Sequence, residues 1–157
     1  KKTRPNLKSM PLAQLSTHAD AAPYVWSLVL SLGMVILSIP PLYAARFKAQ
    51  FEMSDMAALR AMFDRYPAWG KRASWAHQNS FESFTLHAPA ALLAIVAVLN
   101  GHTLPFLAVV AAMAHPILRA IYLVAYLVNV PPLRSVCWAL GLLCSGILYG
   151  LCLSAMV

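Results

Sequence analysis

Apolar positions fall in four long blocks separated by short polar breaks, not in the two-residue alternation of half-buried strands. The first block runs from Pro23 to about Ala45, with Pro40-Pro41 near its end, where a kink or an exit from the helix is expected. The second runs from about Arg72 to Leu99. Its first half, to His87, is rich in polar groups, its second half is nearly all apolar, and Asn100-Gly101-His102 closes it as a turn. The third covers about Leu104 to Val128 and ends at Asn129-Val130-Pro131-Pro132, and the fourth covers Leu133 to about Met156. Each block exceeds or approaches the about 20 residues that cross a bilayer core. The pattern predicts an all-α integral membrane four-helix bundle with spans at 23–45, 72–99, 104–128 and 133–156.

The remaining segments are polar. Residues 1–22 are basic and broken by Pro5 and Pro11, which reads as an extended or surface-lying arm ahead of the bundle. Phe47 to Lys71 mixes Met53, Met56, Leu59, Met62 and Phe63 with Asp55, Arg60, Asp64 and Arg65. This predicts a connector carrying a short amphipathic helix, about Ser54 to Phe63, capped by Ser54 or Asp55.

Composition excludes a soluble domain. Of 157 residues, 61% are hydrophobic and 11% charged, against about 25% charged in soluble proteins, and no room is left for a separate soluble catalytic domain. Any chemistry belongs to side chains on the helices or at their mouths. The formal charge of +7 is concentrated in the arm and between Arg46 and Arg72, positions that suit membrane orientation and anionic headgroups and not nucleic acid. Lys1, Lys2, Arg4 and Lys8 lie on the arm side, whereas Arg46, Lys48, Arg60, Arg65, Lys71, Arg72 and Arg134 lie at the connector and third turn. That excess favours the connector end as cytoplasmic, stromal or matrix. The membrane expected is a bacterial inner membrane or an organelle membrane.

The chain starts Lys1-Lys2-Thr3, which suggests a processed form or a piece of something longer. The basic start followed by an apolar run also resembles a signal peptide, with Tyr43-Ala44-Ala45 as its cleavage site. We read that run as a first transmembrane helix. Cys137, Cys144 and Cys152 share one helix face without metal or redox spacing, and read as small buried residues. His77, His87 and His115 could be imagined as haem ligands, but they lack an attachment motif, and hydrogen-bonded membrane histidines are the commoner case. Most tryptophans and tyrosines lie near span ends, as in an interfacial aromatic belt.

Polar groups at membrane depth are costly, so their convergence on one helix face points to a site. At about 100° per residue from Arg72, Trp75 falls near −60°, Asn79 near −20°, Glu82 near −80°, Ser83 near +20° and Leu86 near −40°. His77 falls on the opposite side. On the third block His115, Arg119, Tyr122 and Tyr126 lie within about 60° of one another. Glu82 is the only carboxylate in these spans and Arg119 the only basic residue well inside the third, so a Glu82–Arg119 pair is expected. That pair can act as an architectural clamp fixing helix register or as part of a ligand site, and the pattern leaves both open. A single polar stripe does not define a continuous pore, which argues against a channel.

The run Arg72-Ala-Ser-Trp-Ala-His77-Gln-Asn79-Ser-Phe-Glu82, followed by Arg119-Ala-Ile-Tyr122-Leu-Val-Ala-Tyr126 and Pro131-Pro-Leu-Arg134-Ser135, resembles the MAPEG family, the membrane-associated proteins in eicosanoid and glutathione metabolism. The resemblance covers about Tyr66 to Val157 and looks closest to bacterial-type members. It implies a four-helix bundle assembling as a homotrimer, with glutathione as cosubstrate between neighbouring subunits, no metal, and lipids around it. Arg72, Asn79, Glu82, Arg119, Tyr122 and Tyr126 become candidate glutathione contacts, and Arg134 and Ser135 the candidate catalytic pair. Glu82 would accept from the glutathione ammonium, Asn79 would hydrogen-bond the tripeptide, the arginines would hold carboxylates bidentately, and Arg134 or Ser135 would lower the thiol pKa. The implied activity is a glutathione-dependent transferase or peroxidase acting on a lipophilic electrophile that enters from the bilayer. Trp75 stands where the eicosanoid-metabolising members have an arginine four residues before the asparagine, and Trp138 where some have a tyrosine after the fourth-helix serine, which points away from a specific eicosanoid activity. The rival reading is a non-catalytic MAPEG-like structural subunit packed among other membrane proteins.

Overall fold

The computed structural model describes residues 12–157, with side chains from residue 20 onward. Five helices follow in order: α1 (Leu12–Leu37), α2 (Ile39–Lys48), α3 (Ala68–Leu99), α4 (Phe106–Leu127) and α5 (Pro131–Met156). Met53–Arg65 between α2 and α3 is a 3₁₀ segment. Four stretches are long and apolar enough to cross a membrane: Asp20–Lys48, Ala68–Leu99, Phe106–Leu127 and Pro131–Met156. The chain is thus a multi-pass membrane helical bundle.

Pro40 and Pro41 act as their position suggests. They occupy the first turn of α2, where their missing N–H groups cost nothing, and the helical path breaks at Ser38. Ser38 is fully buried and donates to Val35 O at 2.6 Å, so its oxygen accepts from His77 Nδ1 at 2.7 Å. His77 therefore pins α3 to the kink, on the side away from the polar stripe.

Several features differ from expectation. The arm predicted over residues 1–22 is helical from Leu12: Leu12–Ala22 contains no breaker, and α1 runs on through Pro23. Residues 1–11 of that predicted arm lie outside the described residues. Helix α3 starts at Ala68, not Arg72, because Pro67 supplies an extended N-cap whose carbonyl accepts from Lys71 N at 3.0 Å. The connector is not one amphipathic α-helix: Ala58, at φ −149° and ψ 61°, interrupts it. Its N-cap is Glu52, neither Ser54 nor Asp55. Asp55 acts instead from the third position, accepting from Glu52 N at 3.0 Å and from the Arg65 guanidinium, which ties the start of the segment to its end.

Two apolar clusters sit at opposite ends of the bundle. Tyr24, Ala90, Ala91, Ala94, Ala108, Ala112, Leu148 and Cys152 pack α1, α3, α4 and α5 together, the alanines allowing close helix approach. Leu42, Ala45, Met62 and Tyr66 fold the connector against α2. Between the clusters the interior is polar: Ser27, Ser31, His87, His115, Arg119 and Ser145 are all buried.

Candidate functional site

Helix α3 enters the site with its polar first half. Gln78, Asn79 and Glu82 lie within about one turn of each other, so all three reach one groove. Asn79 Nδ2 donates to Glu82 Oε2 at 3.2 Å, and Gln78 Nε2 donates to Glu82 Oε1 at 3.0 Å. On α4, Arg119 is only 3% exposed, and its Nη2 donates to Asn79 Oδ1 at 3.1 Å. That bond fixes the amide orientation, since an oxygen spent on Arg119 leaves the Asn79 nitrogen for Glu82.

The expected Glu82–Arg119 ion pair does not form. Asn79, one turn before Glu82, stands between the two groups and relays between them through its amide. Among the described residues the one ion pair is Asp55–Arg65. Arg119 is held instead by the face of Tyr122, its guanidinium 3.9 Å from the ring centroid. Tyr122 meets Tyr126 edge-on at 5.4 Å, and the Arg134 guanidinium lies 4.5 Å from the Tyr126 centroid. The result is an Arg–Tyr–Tyr–Arg ladder running from the buried interior of α4 to the mouth of α5.

Trp75, Gln78, Asn79, Glu82, Tyr122, Tyr126 and Arg134 line an open cleft of about 460 Å³. A smaller cavity of about 120 Å³ shares Asn79 and Glu82 and is completed by Ser83, Leu86, Trp138, Leu142 and Ser145. Of the eight residues singled out in the sequence, five line the larger cleft: Asn79, Glu82, Tyr122, Tyr126 and Arg134. Arg119 supports it from behind. Arg72 Nη2 reaches Leu127 O at 3.5 Å, placing its charge at the C-terminal end of α4, where the helix dipole favours a cation. Ser135 is exposed and donates to Pro131 O at 3.1 Å. Neither Arg72 nor Ser135 lines either space. Among the described residues, the buried Nε atoms of Arg72 and Arg119 have no hydrogen-bond partner.

Periodicity missed Gln78, Leu142 and Ser145 as lining residues. Ser145 carried a usable signal, a hydroxyl in an apolar run seven residues after Trp138 and so near the same helix face. Trp75, which the helical angles put beside Asn79 and Glu82, and Trp138, noted as a departure from the family pattern, form walls of the two spaces.

Four apolar spans around a polar cleft, open at the connector end and lined by Glu82 and Arg134 that form no ion pair among the described residues, define a multi-pass membrane protein. The MAPEG family model matches residues 23–154, and the chain belongs to the MAPEG family. No curated protein and no solved structure matches the chain.

Proposed function

We propose that the protein is a glutathione-dependent transferase or peroxidase of the membrane, acting on lipophilic electrophiles. The observation that carries this reading is that Glu82 and Arg134 face one cleft without forming an ion pair with each other or with any other described residue. Leaving the Glu82 carboxylate inside a span without a cation, with the Arg134 guanidinium unspent at the mouth of the same cleft, is costly unless a ligand completes them. Glutathione is such a ligand: its ammonium suits Glu82 and its carboxylates and thiol suit guanidinium groups. A cleft of about 460 Å³ also falls in the range that holds a ligand of this size.

In this reading the Asn79 amide keeps the Glu82 carboxylate turned to the ammonium, and Gln78 holds the second carboxylate oxygen. Arg134, braced on Tyr126, lies beside the sulfur, favours its thiolate and positions it. In a transfer the sulfur lone pair forms the carbon–sulfur bond while the leaving group departs with its electron pair. Arg119 is a positioning residue acting through Asn79. The bundle assembles as a homotrimer in which a neighbouring copy closes the open side of the cleft.

The test is turnover by purified protein in detergent, with glutathione and either an aryl halide or an alkyl hydroperoxide. Turnover that saturates in glutathione and falls about a hundredfold in Arg134→Ala supports the reading. A folded protein that consumes neither substrate, purified in one copy among foreign chains, overturns it in favour of a structural subunit.

A further inference from the structure

The midsection of the bundle holds two serine–histidine–serine chains. In one, His115 bridges Ser31 Oγ (3.0 Å to Nδ1) and Ser83 Oγ (3.1 Å to Nε2). In the other, His87 bridges Ser27 Oγ (2.8 Å to Nε2) and Ser145 Oγ (3.1 Å to Nδ1). The two imidazoles stack at 3.6 Å and 3°. Each chain ends on a serine, Ser83 or Ser145, that lines the cavity of about 120 Å³.

Proton positions follow from which buried groups have a second partner. Ser31 is 2% exposed, and among the described residues its hydroxyl has His115 Nδ1 alone. It must donate there, so His115 carries its proton on Nε2 and donates to Ser83. The Ser83 hydroxyl hydrogen is then left over, with no protein acceptor among the described residues. In the other chain Ser27 donates to Ala112 O and therefore accepts from His87 Nε2. His87 Nδ1 is then a lone pair that accepts from Ser145, the nearer acceptor for that hydroxyl than Gly141 O at 3.3 Å. Ser145 thus turns an oxygen lone pair to the cavity. Two imidazoles protonated at the same nitrogen make two chemically alike serines into opposites, a free donor and a free acceptor.

Asn79 and Glu82 close the end of the cavity toward the larger cleft, and the apolar part of its wall is Leu86, Trp138 and Leu142, each about half exposed on the outside of the bundle between α3 and α5. A ligand reaches this space from the hydrocarbon of the bilayer, where an unsatisfied hydroxyl is costly for the protein and for the ligand alike. We propose that this cavity binds the head of a single-chain lipophile that accepts one hydrogen bond from Ser83 and donates one to Ser145, a hydroxyl or hydroperoxyl group. Epoxides, ketones and alkyl halides only accept, and fit it less well. Because the cavity shares Asn79 and Glu82 with the larger cleft, a head bound here lies beside the ligand of that cleft. The subsite itself stands whether or not glutathione binds, and its test uses none.

The probe is dodecanol carrying bromine on the carbon next to the hydroxyl-bearing carbon, titrated into the full chain in detergent while tryptophan fluorescence is followed. Saturable quenching that disappears in Trp138→Phe is expected. The methyl ether of the same probe binds about tenfold more weakly, having lost the hydrogen bond to Ser145. Ser83→Ala weakens the alcohol by a similar factor with helical content unchanged by circular dichroism. Should that variant fail to fold, the alcohol–ether comparison on the unaltered protein decides alone. Competition by unlabelled dodecanol and dodecyl hydroperoxide ranks the two sources of the head, and displacement by either supports the site. Equal binding of alcohol and ether overturns the proposal, as does quenching that survives in Trp138→Phe or a cavity closed to both probes by a neighbouring copy.

Discussion

Replacing His115 by leucine separates a buried network from a merely crowded interior. The change removes two hydrogen bonds, worth about 0.6 kcal/mol each in a membrane interior. It also leaves the Ser31 hydroxyl, 2% exposed and with no other described partner, without an acceptor. An orphaned buried hydroxyl costs about 1–3 kcal/mol, so His115→Leu is expected to destabilise by about 2–4 kcal/mol in total. Adding Ser31→Ala to that variant removes the orphan and returns about 1–3 kcal/mol, although Ser31→Ala alone destabilises the parent by stranding His115 Nδ1. His87→Leu is the control. Ser27 keeps its bond to Ala112 O, and Ser145 falls back on Gly141 O at 3.3 Å, so this variant loses less than His115→Leu. Reversible unfolding in mixed detergent micelles, followed by far-ultraviolet circular dichroism, measures all five proteins. A double variant less stable than His115→Leu would refute the network and the proton assignment built on it.

Other positions give sharper local tests. A Cβ at Gly70 would lie 2.6 Å from Ala45 Cβ, which has no rotamer with which to yield; Gly70→Ala should cost about 1–3 kcal/mol in the same unfolding assay. Gly33→Ala, inside α1 with nothing within 4 Å, should instead stabilise by about 0.5–1 kcal/mol. Asn79→Leu cuts the relay between Arg119 and Glu82, and should weaken glutathione about tenfold by calorimetry with the helices intact. In the connector, the Arg65 guanidinium and the Glu52 amide hold the Asp55 carboxyl below its usual range. A depressed pKa contributes stability that is full above the unfolded value and lost as pH falls through the folded one. Amide exchange in residues 52–65 should therefore quicken as pH is lowered below the ordinary carboxylate range, after correction for intrinsic rates. Asp55→Asn should show the fast behaviour already at neutral pH.

The four spans were legible because hydrocarbon demands long apolar runs, and each of the four long apolar helical stretches overlaps one of 23–45, 72–99, 104–128 and 133–156. Boundaries were less so: Pro23 looks like a start but lies inside α1, and the charges at Lys71 and Arg72 look like a flank but lie inside α3. Angular arithmetic put Asn79, Glu82 and Ser83 on one face, and Tyr122 and Tyr126 on another, and the structure brings these faces together. It could not show that Asn79 would come between Glu82 and Arg119, because which neighbour interposes is decided by side-chain reach in three dimensions. Arg134 entered through family resemblance, since no periodicity connects the first turn of α5 to a stripe on α3. The histidine chains depend on serines from α1, α3 and α5, and pairings across more than 30 residues leave no local pattern.

Glu82 and Arg134, which form no ion pair among the described residues, are proposed to receive a zwitterion in their shared cleft. Calorimetric titration of the folded, detergent-solubilised protein with glutathione and with its des-amino analogue tests it most directly. Saturable glutathione binding is expected, weakened about tenfold or more by Arg134→Ala and by Glu82→Gln. The des-amino analogue should bind more weakly than glutathione to the parent protein and no more weakly than glutathione to Glu82→Gln. No heat of binding at millimolar glutathione, or equal affinity in parent and both variants, would contradict the account.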